Sequence, residues 1–477
     1  MAVWCSILAH GYFLGILIPI YCLVPTLSFG AILSAVEDWS FIDGMLYIGG
    51  DLVIVKLTPL VPLTPFGRVL DFFFSCVSLG IFAWLLALLG SLPVCASSKR
   101  WLVGMTGCKD GGVCGTICPL LLFILIVLPT VLLACAVLLG GPLAALEGWS
   151  FKTGVLCALS LLAHCPSFAS GAVLQTSGGR LVALLLAVYA LEVAIGWVVG
   201  VFLLLPAMDS GSKWVSRVTA RSLRLDGTFH GHFLAFWTVS LTVIPGLMLP
   251  FVASAGVAYR VLEGWSFWDG VLRSAGNIVL ISLTSKAPET TRGKALDVVA
   301  SILGVGLFGF IVALVGALPY VDQCADKLGG KLKGYAASFT FTSVLFIVVL
   351  PLTCVVISLP MGAILAVTED WRLVDGWLYA AGIMVQSPSL APASLKPASG
   401  GGRLSIFIVA CWSICVSIGW ATGVVVASTG LDEASKRVIA LIDPSPSEKV
   451  TDAEQEVLQA LANPANPVAW NPPRRIR

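Results

Sequence analysis

Two short signatures, each met four times at nearly fixed separation, constrain this chain more than any other feature. The first is Glu-x-Trp with a glycine five residues on. It reads Glu37-Asp38-Trp39 with Gly44, Glu147-Gly148-Trp149 with Gly154, Glu263-Gly264-Trp265 with Gly270, and Glu369-Asp370-Trp371 with Gly376. The tryptophans stand 110, 116 and 106 residues apart. The second signature is a Thr/Ser-led turn closing on Gly-Arg or Gly-Lys. It reads Thr64-Pro65-Phe66-Gly67-Arg68, Thr176-Ser177-Gly178-Gly179-Arg180, Thr290-Thr291-Arg292-Gly293-Lys294 and Ser399-Gly400-Gly401-Gly402-Arg403. Its last glycine lies 28, 30, 28 and 31 residues after the tryptophan. A recurring pair of anchors marks one supersecondary unit repeated in tandem.

The apolar content says what surrounds that unit. Of 477 residues, 58% are hydrophobic and 11% charged, against about 25% charged in a soluble domain. The mean hydropathy is +0.96. Apolar runs of helical length precede each Glu-x-Trp step (about 7–35, 117–146, 233–262, 340–368) and follow each Gly-Arg/Lys step (about 69–92, 180–205, 294–318, 403–428). A span needs about 20 such residues. The stretch between is too short to cross and return as helix, so it reads as a helix that dips in and a non-helical return, covered by protein or water. The expected fold is therefore an all-α integral membrane protein of eight transmembrane helices with four re-entrant helices. Units occupy 1–95, 117–207, 233–320 and 340–430, with connectors at 96–116, 208–232 and 321–339 and a soluble tail at 431–477. Units 1 and 3 share Leu-Thr at Leu57-Thr58 and Leu283-Thr284, and units 2 and 4 share Pro-Ser at Pro166-Ser167 and Pro388-Ser389. Duplication of a two-unit ancestor explains this.

Met1 to Ala35 lacks a basic n-region and a cleavage site and reads as the first span, not a signal peptide. The connectors hold ten bases and five acids, while the loops within units are balanced. The positive-inside rule then puts connectors and termini on the cytoplasmic side or its equivalent. In the tail, Asp432 to Ile442 and Asp452 to Leu461 are expected as short helices, the second opened by the capping box Thr451-x-x-Glu454. A net charge of +2 gives no basic field for nucleic acid. The partners expected are the lipid bilayer, inorganic ions and further subunits of a membrane complex. Cysteines such as Cys22, Cys76, Cys135, Cys354 and Cys415 sit in apolar runs as small hydrophobes. Cys108, Cys114 and Cys118 cluster without a CxxC pair and read as plain thiols, so neither metal nor cofactor is expected. His10, His164, His230 and His232 make no catalytic set, the last two facing solvent, and nothing indicates an enzyme.

Helix, dipping helix, loop, helix is the subunit plan of potassium channels. The segments Glu263-Gly264-Trp265-Ser266-Phe267-Trp268-Asp269-Gly270 and Glu369-Asp370-Trp371 through Gly376-Trp377-Leu378-Tyr379 resemble the pore entry of two-pore-domain potassium channels, and the Gly-Arg/Lys opening of the second helix is similar too. The resemblance runs over about 7–428 and implies a pseudo-fourfold pore, second helices inside. The family's filter, Thr-Val-Gly-Tyr-Gly-Asp with a proline three residues on, is absent. Alignment on Pro62, Ser170, Pro288 and Pro392 puts the first filter glycine at Lys56, His164, Ser282 and Gln386, and the second at Thr58, Pro166, Thr284 and Pro388. A potassium filter is a tube of backbone carbonyls, and proline does not adopt glycine's backbone angles. Potassium selectivity therefore does not transfer.

The candidate site residues follow. Lys56, His164, Ser282 and Gln386 are expected as a ring of unlike side chains, with Thr58 and Thr284 beside it; the alternative for Lys56 is snorkelling to headgroups. Glu192 lies mid-helix, where a charge costs at least ~2.5 kcal/mol. By the resemblance it lines the inner cavity; otherwise it is a protonated acid bonded to a neighbouring helix. Glu37, Glu147, Glu263 and Glu369 are either an acidic outer mouth or acceptors for helix N–H groups and partners of Arg68, Arg180, Lys294 and Arg403. Trp39, Trp149, Trp265 and Trp371 are expected at the headgroup level. Gly80, Gly196, Gly304, Gly306, Gly309 and Gly419 serve either helix packing or a gating bend. Three functions follow: a passive ion pore of altered selectivity, a non-conducting structural or regulatory subunit, and, last, a four-unit cation uptake transporter.

Overall fold

The structure is a computed structural model that describes residues 11–55, 57–58, 60–106, 113–164, 174–222, 228–329, 335–387, 390 and 395–426. It is helical, without strands among the described residues. Among the described residues seven helices are long and apolar enough to cross a membrane, so the chain is a multi-pass membrane protein. The stretch expected to supply an eighth is helical in three consecutive segments, Ser177–Tyr189, a π-helical Ala190–Gly196 and Trp197–Leu203. The tail and its two expected helices lie outside the described residues.

Each unit contains an outer helix, a short helix and an inner helix. The outer helices end at Glu37, Glu147, Glu263 and Glu369. The next residue is left-handed in every unit: Asp38, Gly148, Gly264 and Asp370, with φ between 56° and 68°. That is the usual way to stop a helix and turn the chain. The short helices follow at Phe41–Val53, Phe151–Leu162, Phe267–Val279 and Leu373–Met384. In three units a serine hydroxyl caps the start, Ser40, Ser150 and Ser266 accepting from the N–H three residues on. Arg372 replaces it in unit 4 and instead pairs with Asp375 at 2.7 Å. At 1.5 Å per residue these helices reach about 20 Å, short of a ~30 Å hydrocarbon core.

The inner helices begin earlier than the Gly-Arg/Lys step suggests, at Pro65, Ser177, Thr291 and Gly400. The reason is a cap three residues before each glycine. The hydroxyls of Thr64, Thr176, Thr290 and Ser399 accept from the N–H of Gly67, Gly179, Gly293 and Gly402 at 2.9 Å.

Each outer helix also carries a π-helical turn in one register, at Phe13–Leu17, Phe123–Val127, Val239–Val243 and Leu345–Val349. Two residues later stands Pro19, Pro129, Pro245 or Pro351. Proline lacks the N–H that would bond the carbonyl four residues back, and such gaps are where helices bulge. In unit 1 the carbonyl so released is that of Gly15, which accepts from the Tyr189 hydroxyl of unit 2 at 3.4 Å.

The units close into a ring. The inner helix of unit 1 packs on the outer helix of unit 4, that of unit 2 on unit 1, that of unit 3 on unit 2, and that of unit 4 on unit 3. The inner helices pack on one another in the same cyclic order. Of the spanning windows, the inner helices bury 72% and the outer helices 28–33%, so the outer ones meet lipid. Phe82, Phe202 and Phe308 of the inner helices are fully buried. The glycines weighed as hinges serve contact: Gly80 faces Phe346, Gly196 faces Leu89, Gly304 the backbone of Asn277, Gly306 faces Ile124, Gly309 faces Val198 and Gly419 faces Val315.

Candidate functional site

The four repeated glutamates have one shared role. Glu37 accepts from the N–H of Leu63 at 2.8 Å and of Thr64 at 3.1 Å, and from the Thr64 hydroxyl. Glu147 binds Gln175 and Thr176 the same way, Glu263 binds Glu289 and Thr290, and Glu369 binds Ala398 and Ser399. Each carboxylate ties the end of its outer helix to the turn before its inner helix. The N–H groups belong to that turn and not to the short helix. Arg180 and Lys294 lie within electrostatic reach of Glu147 and Glu263, but the hydrogen bonds of the arginines go elsewhere: Arg68, Arg180 and Arg403 each donate from Nε to a carbonyl six residues back. Arg180 also reaches Asp43 of unit 1 at 3.1 Å, and Arg403 lies 3.9 Å from Asp269 of unit 3. The repeated tryptophans are half-buried, with Trp39 against Tyr47, Trp265 stacked on Tyr259 and Trp371 against Tyr379.

The residue fifteen after each tryptophan is left-handed in all four units: Ile54, His164, Leu280 and Gln386, with φ of 58°, 50°, 61° and 60°. This corrects the expected ring. His164 and Gln386 share a register, but Ser282 lies two residues beyond it and is exposed, and Lys56 lies outside the described residues. Alignment on the downstream proline put the length difference before the filter. The backbone puts it after the left-handed residue, because units 2 and 4 need more chain to reach their caps. Thr58 and Thr284 do match, each accepting from the N–H two residues on.

Loops of neighbouring units meet here. Gln386 of unit 4 donates from Nε2 to the carbonyl of Val279, the last residue of unit 3's short helix, at 2.9 Å. Its Oε1 is buried without a hydrogen-bond partner. The adjacent Ser387 reaches Asp71 of unit 1 at 3.5 Å. His164 of unit 2 lies beside the backbone of Ile54 in unit 1; it is buried, and neither ring nitrogen makes a hydrogen bond of normal geometry.

Behind the loops lie polar clusters that the sequence reading missed. In unit 1, Asp71 is fully buried and accepts from the Tyr47 hydroxyl at 2.9 Å. Asp51 accepts from Ser75 at 3.2 Å, and its carboxyl meets that of Asp71. In unit 3, Asp297 takes two bonds from Arg273, one from Asn277 and one from the Tyr259 hydroxyl. Counted from the tryptophans, Tyr47 and Arg273 are equivalent, as are Asp51 and Asn277. Units 2 and 4 have Ala183 and Ile406 where Asp71 and Asp297 stand. The signal available was an aspartate four residues after the Gly67 and Gly293 anchors.

Glu192 is buried on the π-helical turn of unit 2's inner helix, with Oε1 unpartnered. It lies within electrostatic reach of Cys22 on unit 1's outer helix and of Tyr189. Leu181, Leu184, Leu185 and Val188, on the same helical stripe, line a lipid-side cavity of about 310 Å³ with Pro19 and Cys22. Glu192 thus sits at the seam of units 1 and 2. Among the described residues no group of His, Cys, Asp and Glu could hold a metal; Cys108 lies outside them, and Cys114 falls in the helix Val113–Leu122. His230 is exposed, but His232 is half-buried, with Nδ1 3.4 Å from Ser216. No family model, curated protein or solved structure matches the chain.

Proposed function

We propose that this chain is a passive ion pore of the potassium-channel type whose filter has been rebuilt for a different selectivity. In this reading it has eight spans, the short helices are re-entrant pore helices, one chain completes a pseudo-fourfold pore, and connectors and termini face the cytoplasm or its equivalent. The observation that carries it is the meeting of loops from neighbouring units at one register, where Gln386 holds the end of unit 3's short helix and His164 lies beside Ile54. Helix C-termini carry partial negative charge, and several of them directed at one axis favour a cation there. Ile54, His164, Leu280 and Gln386, not glycine, take the left-handed backbone, so the selectivity is not that of a potassium filter.

One observation favours a second reading, a non-conducting subunit of a membrane complex. The inner helices pack closely at their connector ends, Gly90 against Gly200 and Gly316 against Gly423. Currents through planar bilayers containing the purified chain, under gradients of potassium, sodium and chloride, separate the two. The pore reading expects a cation current whose reversal potential changes on substituting Gln386 or His164. Silence under every gradient and voltage supports the subunit reading.

A further inference from the structure

We propose that the first two connector helices form a binding site for anionic phospholipid headgroups, on one side of the ring only. This rests on the membrane-spanning fold and not on conduction.

The first connector helix, Pro93–Thr106, starts three residues after the spanning helix that ends at Gly90. The second, Pro206–Ser222, starts three residues after Leu203. Both therefore begin where the chain leaves the bilayer. Both pack against the same neighbour, Val113–Leu122, at the start of unit 2.

Their exposed faces are those of interfacial helices. On Pro206–Ser222 the most buried of the described side chains are serines: Ser212 donates to the Ala317 carbonyl at 2.8 Å, and Ser216 meets His232, with Val215 half-buried between them. The outward side carries Trp214, 62% exposed, and Val218, 46% exposed, beside Lys213, Arg217 and Arg221. At 100° per residue these five positions span one continuous arc, bases on one edge and apolar groups on the other. Water would favour the reverse arrangement, serines out and tryptophan in. A headgroup layer over acyl chains suits it as it stands. On Pro93–Thr106, Val94, Trp101 and Met105 form one exposed apolar stripe, with exposed Arg100 alongside.

The third connector helix, Pro319–Gly329, departs from this. It carries Asp322 and Asp326, and its Lys327 lies over the Phe229 ring, 3.5 Å from the centroid. Among the described connector helices, the basic, tryptophan-bearing faces lie on the two that leave units 1 and 2. Basic residues in this position attract anionic headgroups by about fivefold in affinity each.

The test uses the full chain in micelles, read by native mass spectrometry during titration with phosphatidylserine or phosphatidylcholine. Wild type is expected to retain phosphatidylserine preferentially. The variant Lys213→Gln/Arg217→Gln/Arg221→Gln is expected to lose on the order of a hundredfold of that preference, about fivefold per base. Equal retention of the two lipids by wild type would overturn the proposal, as would a preference unchanged in the variant. If the preference emerges only after residues 431–477 are removed, the chain's own tail is the occupant and the proposal is wrong. Competition by inorganic phosphate at low millimolar concentration would also overturn it, because the site would then bind a free anion. Should the triple variant misfold, quenching by bromine-labelled phosphatidylserine serves instead. Trp101→Phe/Trp214→Phe is expected to lose most of the excess of quenching by brominated phosphatidylserine over brominated phosphatidylcholine, and an excess equal to wild type would refute the site.

Discussion

Arg273 and Asp297 form a two-pronged ion pair buried inside the helix bundle, Nε to Oδ1 at 3.0 Å and Nη2 to Oδ2 at 2.6 Å. The pair ties unit 3's short helix to its inner helix. Unit 1 makes the same junction with Tyr47 and Asp71. Removing one partner of a buried pair strands the other charge, at a cost of about 3–5 kcal/mol. Arg273→Leu is expected to lose that much in reversible unfolding from mixed micelles. Arg273→Tyr, which imports the residue of unit 1, should lose less, because a hydroxyl can donate to Asp297 as Tyr47 does to Asp71. If the two variants unfold alike, the hydroxyl is not an effective substitute.

The glutamate clamps give a second expectation. Each carboxylate takes three hydrogen bonds from the turn before the inner helix, and bonds to a charged acceptor contribute about 1.5–3 kcal/mol. Glu263→Ala should lower stability by about 2 kcal/mol, and Glu147→Ala by a similar amount, since the geometry repeats. An acidic mouth makes the opposite forecast: unchanged stability and a conductance that falls at low salt. Thermal unfolding and single-channel recordings on the same variants decide between them.

The recurring order of long helix, short helix and second helix was legible because Glu, Trp and Gly each do a backbone task that few other residues do. The glutamate must accept several N–H groups, and a left-handed residue must sit before each tryptophan. The loop register was not legible. Left-handed backbone is held there by Ile54, His164, Leu280 and Gln386, four residue types with no common chemistry, so nothing in the letters marks the position. The buried aspartates were missed for the converse reason. Asp71 and Asp297 recur in only two units, and a fourfold reading averages them away.

A third expectation concerns glycines that the motif only half displayed. Gly44, Gly154, Gly270 and Gly376 lie in the motif, but each rests on a glycine fourteen residues earlier, Gly30, Gly140, Gly256 and Gly362. A Cβ on Gly30 would stand 2.8 Å from the backbone of Met45, and one on Gly256 2.8 Å from the Val271 side chain. Outer and short helices therefore meet with no room for a side chain. Overpacking costs typically about 1–3 kcal/mol. Gly30→Val should fall at the upper end, because backbone cannot move aside, and Gly256→Ala at the lower, because the Val271 side chain can. Gly246→Ala, which meets nothing within 4 Å, should be neutral. Unfolding of the three variants ranks them.

Cys95 supplies an expectation in pH. It is buried on the first connector helix, outside the spans, with Sγ 3.4 Å from the Leu89 carbonyl, and burial pushes its thiol up to about 12. In the unfolded chain the same thiol ionises near 9. Above that pH the unfolded state loses a proton that the folded state keeps, so folding stability falls as pH rises between 9 and 12, by about 1.4 kcal/mol per unit for this group. Below pH 8 the group contributes no slope. Cys95→Ala removes the titration, so the difference in stability between variant and wild type should be flat to pH 8.5 and then shift in the variant's favour. A constant difference from pH 7 to 10.5 would mean that the folded thiol ionises normally. Maleimide labelling at pH 8 checks the same point directly: Cys95 should stay unmodified in the folded protein and react on unfolding.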